Sequence, residues 1–128
     1  MRAKLTDFGV SRIMSEESTM TQGVETSRWE APEVLAGKED YNQAADIFSF
    51  GVVLSELDTH AIPYDDARGP SDNTLANVQM IAMGSIRPSF SACCPPDIRA
   101  LADRCLAHNP EDRPSAPEVA YALRTTTI

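Results

Sequence analysis

The stretch from Ile47 to Leu57 constrains this chain more than any other. Ile47, Phe48, Phe50, Val52, Val53, Leu54 and Leu57 recur so closely that a helix through them is apolar on nearly every side. A helix without a polar face is stable in water only when other elements cover it. The pattern therefore predicts a buried central helix, capped near Asn42 and running to about Asp58, with Val53 among its buried positions. Ser49, Ser55 and Glu56 interrupt the apolar run. It also falls far short of the ~20 residues needed to cross a bilayer.

The rest of the chain supplies elements that can wrap such a helix. Its 128 residues fit one domain, and 42% of them are apolar, enough for a packed core. Residues 3–6 read as a short strand anchored by Leu5, and 13–27 as a long polar loop. Ala31 to Leu35 makes a short helix with Pro32 in its first turn and Gly37 as its stop. A second loop covers 59–73. Leu75, Val78, Ile81 and Ala82 then recur at helical spacing, with Gly84 as terminator. Pro95-Pro96-Asp97 opens another helix, whose stripe is Ile98, Leu101, Ala102, Cys105 and Leu106, closed by Asn109-Pro110. Ser115 and Glu118 form the sequence signature of a capping box, leading a last helix with Val119, Ala122 and Leu123 inward. The expected architecture is mainly α.

Charge and cysteine content narrow the function classes. The net charge is −8, and the 11 Lys and Arg are scattered singly. Phosphate backbones and anionic lipid surfaces repel such a chain, so nucleic acid is not an expected partner and no membrane segment is expected. Met1 to Lys4 leads into Asp7 without the apolar run of a secretory signal. Cys93, Cys94 and Cys105 have neither disulfide nor metal-site spacing, which fits an intracellular, cytoplasmic chain.

Three separated motifs carry the chemistry. Asp7-Phe8-Gly9 follows the first strand, Ala31-Pro32-Glu33 ends the first loop, and Asp46-Ile47-Phe48-Ser49-Phe50-Gly51 opens the central helix. Each alone is a weak signal, and Asp7-Phe8-Gly9 by itself reads more simply as a turn after a strand. In this order, with Arg113-Pro114 near the end, they resemble the protein kinase catalytic domain. The Arg28-Trp29 pair and the Ser49-Phe50-Gly51-Val52-Val53-Leu54 wording look most like the tyrosine-kinase-like group of Ser/Thr kinases. The resemblance spans the chain and implies the helical C-terminal lobe of the kinase fold, from the strand before Asp7. It divides residues 1–128 into an activation segment at 7–33 and a helical lobe at 34–124.

The resemblance also implies roles. Asp7 would hold Mg²⁺ on the phosphates of ATP, with Phe8 and Gly9 setting the loop state beside it. Thr26 matches the threonine of the substrate-docking loop. Glu33 and Arg113 match a buried ion pair between the activation segment and the lobe, though as residues alone they could be unrelated surface charges. Asp46 matches the carboxylate that anchors the catalytic loop, or it stabilises the first turn of its own helix. Ser15, Ser18, Thr19 and Thr21 are candidate phosphosites for an upstream kinase, although hydroxyls in a polar loop are often merely solvated. Glu25 and Glu30 stand where the family commonly has glycine and methionine, which bears on the choice of protein substrate.

The 128 residues hold no Gly-rich phosphate loop, no ATP-pairing strand lysine and no His-Arg-Asp catalytic loop. Phosphoryl transfer needs these parts together. The expectation is a partial ATP-dependent Ser/Thr kinase that is inactive alone, or else a non-catalytic kinase remnant that binds proteins. The parent protein could be membrane-anchored through a preceding region. Without its usual cover, an apolar strip including Phe8, Phe50 and Leu54 is expected to drive self-association.

Overall fold

The computed structural model describes residues 26–38, 40–64 and 74–126. In chain order, a 3₁₀ turn (Thr26–Trp29) precedes α1 (Pro32–Leu35), α2 (Ala44–Thr59), α3 (Thr74–Met83) and α4 (Pro96–Cys105). A second 3₁₀ turn (Pro110–Asp112) leads into α5 (Ala116–Thr125). The described residues form no strand, in agreement with the mainly α expectation. The strand expected at 3–6 lies outside the described residues.

Local chemistry accounts for most boundaries. Pro32 begins α1, where its missing N–H is not needed. Gly37 (φ +81°) follows that helix and Gly84 (φ +79°) follows α3, both in the left-handed region that glycine enters without a Cβ penalty. Asn42 lies one residue outside the position expected of it, and its Oδ1 accepts the Ala44 N–H at 2.9 Å. The capping box of α5 is complete. The Ser115 hydroxyl accepts the Glu118 N–H, and the Glu118 carboxylate accepts the Ser115 N–H. Asn109-Pro110 does not close α4, which ends at Cys105. Instead Asn109 Oδ1 accepts the Glu111 N–H and starts the second 3₁₀ turn.

α2 sits between two apolar clusters. One joins Ala45, Phe48 and Val52 to Ala31 and Leu106, with Trp29, Val34 and Tyr41 packed on its edge. The other joins Leu54 to Leu101, Ala102, Cys105 and Val119, with Ile47 and Phe50 at its margin. Each of the large residues removed from water contributes roughly 1.5–3 kcal/mol. Gly51 sets how near α4 can come: a Cβ there would lie 2.8 Å from Leu106 Cγ and 3.0 Å from Cys105 Cβ. Only a residue without a side chain permits that approach.

The cover is not all-round, which corrects the sequence expectation. Val53 is 37% exposed and Leu57 is 65% exposed. At 100° per residue they share one stripe of α2 with Asp46 and with the half-buried Phe50, which borders the second cluster. Hydropathy alone cannot tell which side of an apolar helix its neighbours occupy. Two further corrections follow from packing. Leu54 lies against α4 rather than in the uncovered strip, and Leu123 is exposed, while Val119 and Ala122 are the α5 residues that pack on the core.

Candidate functional site

Arg113 and Glu33, 80 residues apart, form the most fully engaged polar group of the described residues. Arg113 Nη1 donates to Glu33 Oε2 at 2.8 Å, and Nη2 donates to Oε1 at 2.9 Å, a bidentate fork. The remaining N–H groups donate to the carbonyls of Ala107 (Nε, 2.8 Å), Ala44 (Nη1, 2.9 Å) and His108 (Nη2, 3.2 Å). Every donor of the guanidinium therefore has an acceptor. Its face lies 5.0 Å from the centre of the Phe48 ring. Both side chains are buried, so neither charge could persist there without the other. Burial pushes the Glu33 carboxyl up, but the hydrogen bond and charge of Arg113, a backbone bond and the nearby His108 carry it below its ordinary value.

The pair binds three parts of the chain to one point: α1 through Glu33, the start of α2 through Ala44, and the α4–α5 connection through Ala107, His108 and Arg113. Just before α1, the first 3₁₀ turn carries Thr26 and lies on α2. Ser49 Oγ donates to the Trp29 carbonyl at 2.6 Å, and the Trp29 indole N–H donates to Glu56 Oε1 at 3.1 Å. Arg28 Nη1 donates to the Pro63 carbonyl at 3.0 Å. The polar interruptions of the apolar run are thereby explained, since Ser55 Oγ also donates to the Val52 carbonyl. Sequence patterning marked Ser49 and Glu56 as anomalies on an apolar helix. That anomaly was the available signal, but it named no partner.

Asp46 is exposed in the first turn of α2, where the helix dipole favours an anion. It heads the stripe of Phe50, Val53 and Leu57. The side-chain bond at that helix start comes from Asn42, not from Asp46. Cys105 is fully buried in the core, and burial pushes its thiol up to about 11. Tyr64 is buried in the left-handed region (φ +65°), with its phenol pushed up to about 12. Its hydroxyl has no hydrogen-bond partner, and the residue lines a shallow cleft with Ser55, Thr59, Pro63 and Ser89.

Asp7, Phe8, Gly9, Ser15, Ser18, Thr19 and Thr21 lie outside the described residues. Among the described residues no group of acidic, histidine or cysteine side chains could hold a metal ion. No described helix is long and apolar enough to cross a membrane.

Comparison with known proteins agrees with this geometry. Residues 1–122 match the protein kinase domain. A probable serine/threonine-protein kinase of Dictyostelium discoideum is 39% identical over 98% of the chain, which covers 8% of that protein. The probable serine/threonine-protein kinase drkD of the same organism is 40% identical over 92% of the chain, covering 8% of its length. The dual specificity protein kinase shkD is 35% identical over the whole chain, again from Dictyostelium discoideum, with 17% of that protein covered. The chain thus spans less than a fifth of each of these relatives.

Proposed function

This chain belongs to the protein kinase family, and from that premise we propose that it forms the helical lobe of an ATP-dependent Ser/Thr protein kinase, inactive on its own. Its relatives include Ser/Thr and dual specificity kinases, which supports assignment to the protein-phosphorylating transferases. The observation that carries the finer reading is the buried Glu33–Arg113 fork. It fixes the end of the proposed activation segment, residues 7–33, to the base of the helical lobe.

In this reading Thr26 and its 3₁₀ turn form the surface on which a protein substrate docks. Asp7 supplies a carboxylate toward Mg²⁺ and ATP, whose phosphoryl group is what the family transfers to a hydroxyl. Ser15, Ser18, Thr19 and Thr21 are proposed targets of an upstream kinase. Asp46, ahead of Phe50, Val53 and Leu57 on the exposed stripe, is the proposed seat of a catalytic loop contributed from outside these 128 residues. The same uncovered stripe supports a second reading, in which the chain is a non-catalytic module that binds a protein partner or a second copy through it.

A chimera tests the first reading against the second. The part of the drkD kinase domain that aligns ahead of Asp7 is fused in frame to this chain. A folded chimera is expected to phosphorylate Ser/Thr peptides with Mg²⁺ and ATP, and Asp7→Asn is expected to abolish that transfer. A folded chimera without transfer would favour the binding module.

A further inference from the structure

The contacts that hold the first 3₁₀ turn to α2 are not of one kind. Ser49 donates to the Trp29 backbone carbonyl, so it fixes the path of the chain without regard to the side chain there, while Arg28 of the turn itself donates to the Pro63 carbonyl beyond the end of α2. Glu56 instead accepts from the indole of Trp29, a contact specific to that residue. Ser49 and Glu56 are two helical turns apart and stand on one face of α2, directly beneath the turn. Glu56 is half-buried in an otherwise apolar stretch, where a carboxylate is unfavourable unless a donor meets it. Trp29 is that donor. The turn also leads directly into Glu30, Ala31 and the α1 residue Glu33, whose position Arg113 fixes. Its downstream end is therefore anchored, and Ser49 and Glu56 of α2 hold Trp29 just ahead of it.

We propose that Glu56 is a positioning residue, a latch that holds Trp29 and thereby sets where the substrate-docking turn lies. Its functional meaning rests on the kinase reading, under which a Ser- or Thr-bearing stretch of a protein substrate is laid against this turn. The latch itself does not depend on that reading. Glu56 acts through Trp29 and not on the reacting atoms. Releasing it would let the turn shift along α2 while the Glu33–Arg113 fork and the two core clusters stayed intact.

Amide hydrogen exchange and the emission of Trp29, the single tryptophan of the sequence, test this on the 128-residue chain. Glu56→Ala removes a hydrogen bond to a charged group and is expected to speed exchange at the turn roughly tenfold. It should also shift the tryptophan emission to the red, with exchange in α4 and α5 unchanged. Glu56→Gln keeps an acceptor oxygen and is expected to stay near the parent chain in both readouts. Trp29→Phe keeps an aromatic ring, removes the donor, and should loosen the turn as Glu56→Ala does. The proposal is overturned if Trp29→Phe leaves exchange at the turn unchanged, which decides the matter even if Glu56→Ala fails to fold. It is equally overturned if Glu56→Gln loosens the turn as much as alanine does, or if α4 and α5 loosen by the same factor. Neither readout involves phosphoryl transfer, so the latch can fail while the kinase reading stands, and the reverse.

Discussion

Glu33 shows how one side chain can depend on a residue 80 positions away. Its carboxyl is held below its ordinary value of 4.5, so the folded state favours the charged form more than the unfolded chain does. The stability this contributes is present above that ordinary value and is lost as pH falls through the lower folded one. The melting temperature of the parent chain is therefore expected to fall in acid more steeply than that of Glu33→Gln, which is less stable at neutral pH. Asp58 and Glu118 are also held below their ordinary values by hydrogen bonds from Ser91 and Ser115, so the variant keeps part of the acid slope. Parallel melting curves across the acid range would show that Glu33 contributes nothing to it. From sequence, the pairing of Glu33 with Arg113 was legible only through the family resemblance, since as residues alone they could be unrelated charges. That the guanidinium spends all its donors on Glu33 and three carbonyls follows from tertiary packing, which no local pattern encodes.

The helices were the most legible part of the molecule, because their ends are set by neighbours in sequence. Gly37, Gly84, Pro32, Pro96 and the Ser115–Glu118 box each act within one helical turn, and each occupies its expected place. α2 was legible as a helix but not in its orientation, since an apolar residue reads the same whether a neighbour covers it or not. Two substitutions one residue apart separate the faces. Val52→Asp puts a charge at a position with no exposure, where an unpaired carboxylate exceeds what a typical domain can absorb. That variant is expected to show no cooperative melt. Val53→Asp lies on the exposed stripe and should change stability by only about half a kcal/mol. Circular dichroism melts of the two variants distinguish them, and equal effects would mean that the stripe is covered in solution.

At the scale of the whole molecule, the stripe of Phe50, Val53 and Leu57 is an exposed apolar part of the described surface. Leu57 at 65% and Val53 at 37% exposure flank a half-buried Phe50, on the helix that also organises both clusters. The chain is expected to self-associate and to bind a hydrophobic dye such as ANS in native buffer, with Leu57→Lys reducing both. A monodisperse parent chain without dye binding would show that the stripe is satisfied within one copy. The Glu33–Arg113 fork joins α1, the start of α2 and the α4–α5 connection into one structural unit. A double-mutant cycle in denaturant unfolding, using Glu33→Gln, Arg113→Lys and the pair together, tests that claim most directly. Lysine cannot reproduce the fork, and contacting partners in one network couple by about 0.5–3 kcal/mol. The account predicts a coupling in the upper half of that range, with the double variant losing far less than the two single losses combined. Strictly additive losses would contradict it, because the two side chains would then stabilise the lobe independently.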